Sequence, residues 1–222
     1  DPSAGWLLDV QVEQGLEGEL IRDYWASTPT GPAARPDTAN AEFTAIRVDV
    51  RRYLRVGPRT RIALRALAAG SPDDGALPPQ RQHVLGGEGS LPGYTHFAFD
   101  CGARQPLQEI NGLSAYYGCD RKVLFQAELR FAFLGSSSVG LGRRLGLDFE
   151  LATTPELVLF ADAGRTWIEP ESLRQRVHLG PDDFRYDAGV GLRLGRLGVY
   201  LAAPLSEGGD GVNFFLRLGP RI

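Results

Sequence analysis

Long apolar runs, methionine and cysteine are all scarce in this sequence. Methionine is absent and cysteine occurs twice, and no stretch approaches the roughly 20 apolar residues of a transmembrane helix. The first residues also lack the basic and then apolar pattern of a signal peptide. The chain is therefore either soluble or crosses a membrane as strands. Because Asp1 stands almost directly before a strand-like segment, we expect the chain to be cut from a longer protein.

An excess of one charge is lacking as well. The formal net charge is −3, and no nucleic-acid partner is expected, because binding to phosphates depends on clustered positive charge. Residues 135–140 miss the nucleophile elbow by one position, and residues 87–93 do not match the dinucleotide-binding fingerprint. The histidines are scattered along the chain, at His83, His96 and His178. No metal, cofactor or enzymatic activity is therefore predicted.

The two cysteines flank a polar segment. Cys101 and Cys119 have no further cysteine or close histidine at a spacing that would suit a metal. A disulfide that closes this segment is the favoured interpretation. It would contribute about 3 kcal/mol on a chain-entropy estimate and would require an oxidising compartment. The alternative is that both cysteines are buried free thiols.

What the sequence does contain is regular alternation of apolar and polar residues. In residues 122–133, 184–194 and 212–222, every second side chain is apolar and most of those between are charged, polar or glycine. This period of two is typical of strands with one apolar face, and each run is about the 9–11 residues that a tilted strand needs to cross a bilayer. Ile222 continues the apolar face of the last run. The residues expected to contact lipid include Phe125, Leu129, Phe131, Val190, Leu192, Phe214 and Leu216.

The alternation predicts strands joined by connections of unequal length. Short turns at 57–59 and 195–196 alternate with long polar connections at 15–41, 71–120 and 168–183. Outer-membrane barrels show this asymmetry, with short periplasmic turns and long external loops. The predicted strands cover residues 5–14, 42–55, 60–70, 121–134, 156–167, 184–194, 198–205 and 212–222.

The polar face of the predicted strands carries repeated charge, as at Arg47, Asp49 and Arg51. In a barrel these side chains would line a wet lumen opposite a lipid-facing band. A soluble antiparallel sandwich would instead place them in water, and the alternation alone leaves this possibility open. Residues 143–151 alternate too, and we predict that they form a hairpin extension of the fifth strand.

A glycine-rich segment and a strand with a central aspartate are the most specific features. Residues 86–94 read Gly-Gly-Glu-Gly-Ser-Leu-Pro-Gly-Tyr, and residues 160–164 read Phe-Ala-Asp-Ala-Gly. These segments resemble the loop motif Gly-Gly-x-x-Ser-Ile/Val-Arg-Gly-Phe/Tyr and the strand motif Phe-x-Asp-x-Gly of the BamA and TamA superfamily, also called the bacterial surface antigen family. Residues 128–131, 187–193 and 202–205 are similar to further strands of that family, in the same order. The resemblance covers residues 42–222 well and the remainder weakly.

The resemblance implies an all-β fold, an antiparallel transmembrane β-barrel. The chain would supply about eight C-terminal strands of a barrel of about sixteen, with residues 71–120 as a long external loop and periplasmic POTRA domains upstream. Residues 1–222 would then form the C-terminal part of a single barrel domain. Such barrels act through a weakly paired seam between the first and last strands.

The resemblance also implies a function and a location. The expected function is to assist insertion, assembly or translocation of proteins at the bacterial outer membrane. The expected partners are outer-membrane lipid, client outer-membrane or secreted proteins and periplasmic accessory proteins. An alternative is the membrane anchor of a patatin-like lipase whose catalytic domain lies upstream. A passive porin is a third possibility, which the set of motifs disfavours.

The site implied by the resemblance is a loop that folds into the lumen as a lid. The family's loop arginine falls on Pro92, so the ion pair between that arginine and the strand aspartate, here Asp162, cannot form. We expect loop backbone N–H groups or Arg130 to satisfy Asp162, with Arg193 as a further candidate. The loop-lid residues are Gly86, Gly87, Ser90, Pro92, Gly93 and Tyr94, and the lumen-facing partners are Glu128, Arg130, Asp162 and Arg193.

The size of this loop predicts the overall shape of the chain. An eight-stranded barrel has an interior only just wide enough for its own side chains, which leaves no room for residues 86–94. We therefore predict an open, curved antiparallel sheet with this loop packed on its concave face, near Asp162 and Glu128.

Overall fold

The computed structural model describes most of the strand regions of the chain. Several predictions fall outside the described residues, among them Cys101, residues 143–149 and much of the long connections. Throughout the described ranges, no helix is long and apolar enough to cross a membrane. The described residues are 4–16, 19–22, 37–40, 43–72, 77, 81–96, 98–99, 109–110, 113–114, 118–133, 137–140, 150–167, 184–209 and 211–222.

The described secondary structure is all β. In chain order the strands are β1 (Gly5–Gly15), β2 (Glu19–Arg22), β3 (Asp37–Asn40), β4 (Phe43–Arg55), β5 (Thr60–Gly70), β6 (Glu109–Ile110), β7 (Leu113–Ser114), β8 (Arg121–Ala132), β9 (Ser137–Gly140), β10 (Glu150–Thr153), β11 (Pro155–Trp167), β12 (Arg185–Leu194), β13 (Leu197–Pro204) and β14 (Asn213–Leu218). Eight of them form one antiparallel sheet in the order β1-β4-β5-β8-β11-β12-β13-β14. The pairs β2–β3, β6–β7 and β9–β10 form separate two-stranded sheets.

The eight strands of the large sheet are the eight predicted from alternation, and the prediction of the fold class is confirmed. Only the last strand differs clearly, because β14 ends at Leu218 rather than at residue 222. Gly219 has a φ of +97°, and Pro220 has no N–H to donate to a neighbouring strand. The prediction that Ile222 lies on the apolar outer face is wrong, since its side chain is buried against Tyr53 and Ala63.

The two faces of the sheet have opposite character. On the convex face, apolar side chains such as Phe125, Leu192 and Phe214 are exposed. On the concave face, charged side chains such as Glu128 and Asp162 are buried. A water-soluble sheet buries its apolar face, so this arrangement suits a wall with lipid outside and a polar interior.

The large sheet is open and curved. Among the described strands, β14 does not pair with β1, so the sheet does not close on itself. Arg221, which follows β14, nevertheless contacts Glu128 of β8, although three strands separate β14 from β8 in the sheet. That contact requires the sheet to curve around its charged face, and the open, curved sheet predicted from loop size is confirmed.

Arginine placed in the middle of the convex face should impair membrane insertion. Val190 lies near the centre of β12 and is 40% exposed. Val190→Arg should cost about 2–4 kcal/mol if that face contacts lipid, whereas Leu194→Arg, at the end of the same strand and on the same face, should cost about 0–1 kcal/mol. The measurement is the folding equilibrium in phospholipid vesicles. Equal costs for the two variants would contradict a lipid-facing assignment.

Candidate functional site

The site is formed by residues 83–94, which pack on the concave face of the sheet. His83 and Leu85 form isolated antiparallel bridges with Cys119 and Phe99, which hold the segment near the start of β8. Leu85, Leu91 and Tyr94 then form one buried cluster with wall residues Leu67 and Leu124. The segment is therefore anchored by a small hydrophobic core of its own within a largely charged interior.

The loop is compact because its glycines permit an unusual backbone path. Gly86 and Gly87 have φ angles of +108° and +82°, a region that other residues rarely adopt. The Gly86 N–H donates to Ser90 Oγ at 3.0 Å, and the Ser90 hydroxyl donates back to the Gly86 carbonyl at 3.0 Å. The Gly87 N–H closes the turn by donating to the Tyr94 carbonyl at 3.0 Å.

The tip of the loop makes polar contacts with several strands of the wall. The Gly93 N–H donates to Asp187 Oδ2 of β12 at 2.6 Å, and the Tyr94 hydroxyl donates to the Tyr186 carbonyl at 2.9 Å. Strands β8 and β14 contribute further contacts: Gln126 Nε2 donates to the Ser90 carbonyl at 3.1 Å and Asn213 Nδ2 to the Pro92 carbonyl at 3.1 Å. In these contacts the wall binds the backbone of the loop more than its side chains.

A cluster of four charged side chains lies below the loop. Arg130 donates to Glu128 Oε2 through Nε at 2.8 Å and Nη2 at 2.6 Å. Arg221 donates to Glu128 Oε1 through Nε at 2.9 Å and to Asp162 Oδ2 through Nη2 at 2.5 Å. These four residues are at most 5% exposed. Two positive and two negative groups thus compensate each other, as buried charges must.

The partner of Asp162 differs from the sequence prediction. Arg130 is engaged with Glu128, and Arg193 lies 3.4 Å from Glu156. The cation that binds Asp162 is Arg221, which the alternation had placed in the last strand. Because β14 ends early, Arg221 leaves the sheet and turns into the interior.

The loop backbone also reaches a different carboxylate from the one expected. Gly93 donates to Asp187, and Asp187 stands opposite Asp162 in the register of β11 and β12. Both residues are buried, so the two carboxyl groups are close neighbours on the inner face of the sheet. The neighbouring aspartates Asp162 and Asp187 therefore connect the charged cluster to the loop.

A second charged group gives another part of the wall a positive character. Asp49 of β4 is bound by three cations, with Arg65 Nη2 at 2.7 Å, Arg51 Nη2 at 3.0 Å and Arg47 Nη2 at 3.3 Å. Arg65 Nη1 also donates to Gln126 at 3.0 Å. With one carboxylate shared by three guanidinium groups, this stretch of the lumen wall carries net positive charge.

The base of the loop contains a buried cysteine and a buried histidine. Cys119 is disulfide-bonded; Cys101 lies outside the described residues, so its pairing with Cys119 stays a prediction. Burial, together with the charges of Lys122 and Arg47, lowers the pKa of His83 to about 4. His83 is therefore neutral at physiological pH. No group of three or more metal-ligating side chains occurs within the described ranges.

Taken together, the apolar outer face, the charged inner face and the docked loop define the wall of a transmembrane β-barrel with an internal loop. The sequence matches the Omp85 superfamily domain over residues 1–211, and the chain belongs to this superfamily. No curated protein matches the chain.

Among solved structures, the fold is similar to that of BamA from Haemophilus ducreyi lacking POTRA domains 1-3. The TM-score is 0.61 at 14% sequence identity. The match covers 97% of this chain and 39% of that one. The chain thus spans well under half the length of this structural relative.

Proposed function

We propose that the chain is the C-terminal part of an outer-membrane barrel that assists the insertion, assembly or translocation of other proteins. Its partners would be outer-membrane lipid, client proteins and periplasmic accessory proteins, and it would not act as an enzyme. The observation that supports this most is the glycine-rich loop buried against the charged inner face. The interior of a porin is a water-filled channel, whereas a loop docked in this way plugs the lumen.

The edges of the sheet support the same proposal. β14 contains six residues, whereas β11 contains thirteen, so a strand pairing with β14 would form few hydrogen bonds. A short, weakly paired edge is where an incoming strand can add to a sheet. In a complete barrel, β14 would thus form one side of a seam that opens for a client strand, while the docked loop keeps the lumen blocked.

The test is depletion of the whole gene product in its native host. We expect the abundance of other outer-membrane proteins to fall in the membrane fraction, as measured by quantitative proteomics, and to recover on re-expression of the wild-type protein. A second arm reconstitutes the purified protein in vesicles and follows the folding of an unfolded eight-stranded barrel added as a client. Unchanged protein levels together with no faster client folding would contradict the proposal.

A further inference from the structure

The segment that follows β14 turns into the interior. Gly219 leaves the sheet with its N–H donating to the Arg196 carbonyl at 2.6 Å, next to the short turn between β12 and β13. Arg221 and Ile222 then extend across the concave face. Ile222 packs against Tyr53 of β4 and Ala63 of β5, and both tail residues are buried. We call residues 219–222 the tail.

The tail and the loop approach each other from opposite ends of the sheet. The tail enters beside the short turn at residues 195–196, and the loop belongs to the long connection at the other end of the strands. They meet near the middle of β11, where Asp162 accepts from Arg221. Asp162 stands opposite Asp187 in the register of β11 and β12, and Asp187 accepts from the Gly93 N–H of the loop. A row of neighbouring polar groups, Arg221, Asp162, Asp187 and the Gly93 N–H, therefore runs from the tail to the tip of the loop.

From this geometry we infer that Arg221 is the positioning residue of the loop: the tail, acting through the two aspartates, holds residues 86–94 in the lumen. Pro92 has no side-chain donor, so the loop brings no charge of its own to Asp162. Arg221 supplies that charge, and its guanidinium is further fixed 3.8 Å from the centroid of the Phe160 ring. Displacement of the tail would remove this support and release the loop. The inference deepens the proposed function, since the loop is taken as the moving part of an assembly barrel.

The physical basis is the cost of an unpaired buried carboxylate. Without Arg221, Asp162 would lose its cationic partner, and two neighbouring acids would face each other in a buried site. The least costly response is for water to enter and for the loop to leave Asp187. Loss of a hydrogen bond to a charged group is expected to change a local opening equilibrium by about tenfold or more.

The experiment is hydrogen exchange of the complete gene product in detergent or nanodiscs, read by mass spectrometry over residues 86–94. Arg221→Ala should speed exchange of these amides by at least about tenfold, with strands β11 and β12 still protected. The matched control is Arg196→Ala, which removes the same charge from an exposed side chain beside the tail and should leave loop exchange unchanged.

A second variant separates positioning from a general structural role. Asp187→Asn keeps an oxygen that can accept from Gly93 and adds an N–H group that can donate to Asp162. In this background Arg221→Ala should change loop exchange by no more than about threefold, because the new amide N–H donates a hydrogen bond to Asp162 in place of the arginine. If the Arg221→Ala variant does not insert into the membrane, Arg221→Lys is used instead. We expect it to accelerate exchange of residues 86–94 by a smaller factor, and Asp187→Asn should again reduce that acceleration.

Two results would overturn the inference. One is full protection of residues 86–94 in Arg221→Ala. The other is an acceleration by Arg221→Ala that is as large in the Asp187→Asn background as in the wild-type background. Because exchange is measured without any client, the result does not depend on whether the barrel assembles proteins. If depletion left outer-membrane protein levels unchanged, the inference about Arg221 would still stand. If Arg221→Ala left loop exchange unchanged, the proposed function would still stand.

Discussion

Alanine at position 93 should displace the loop from the wall. A Cβ atom added to Gly93 would lie 2.7 Å from the Asp187 Cβ, 2.9 Å from the Ala203 carbonyl carbon and 2.9 Å from the Pro204 nitrogen. Two of these atoms are backbone of a paired strand and cannot move cheaply. Overpacking of this kind costs about 1–3 kcal/mol, which corresponds to roughly a 5- to 150-fold shift of the docking equilibrium.

The measurement is hydrogen exchange over residues 86–94, together with the ability of the variant gene to restore outer-membrane protein levels after depletion. Gly89→Ala is the matched control, because a Cβ at Gly89 meets nothing within 4 Å. It lies in the same loop and makes the same chemical change. If Gly93→Ala exchanged as slowly as Gly89→Ala, the close approach of the loop to β12 and β13 would not be what holds it.

Most of the fold could be predicted from the sequence because barrel strands carry a strong local signal. Lipid outside and a wet interior impose a period of two over the full length of strands such as β8 and β11, and long polar connections separate them. The end of β14 could not be predicted in this way. Residues 219–222 continue the apolar alternation, so periodicity alone does not reveal that Gly219 takes a positive φ and leaves the sheet.

The site could be predicted in part. The alternation in β11 puts Asp162 on the inner face, whereas the loop at residues 86–94 is expected on the concave side only because its motif resembles the family's loop; the structure has both there. The partner of Asp162 could not be found, since Arg221 is separated from it by 59 positions in the sequence. Asp187 was likewise not expected to bind the loop. Its position opposite Asp162 depends on the register of two strands joined by a long connection, which no short turn determines.

Removal of the negative charge at Glu128 should strongly destabilise the protein. Its two carboxylate oxygens bind different cations, with Arg130 at 2.6 Å and Arg221 at 2.9 Å. Glu128→Gln keeps the shape of the side chain but leaves two buried guanidinium groups facing the single carboxylate of Asp162. Loss of one partner of a buried ion pair typically costs about 3–5 kcal/mol, and we expect a loss of at least about 3 kcal/mol here.

The free energy of unfolding is to be measured for the complete gene product by urea titration in detergent, where a change of midpoint at constant slope reports stability alone. The matched control is Glu13→Gln. Glu13 pairs with Arg81 at 2.7 Å, a distance like that in the buried cluster, but both side chains are about half exposed. Because solvent screens such a pair, its loss should cost about 1 kcal/mol or less. If both variants lost the same small amount, Glu128 would not be the charge on which Arg130 and the tail depend.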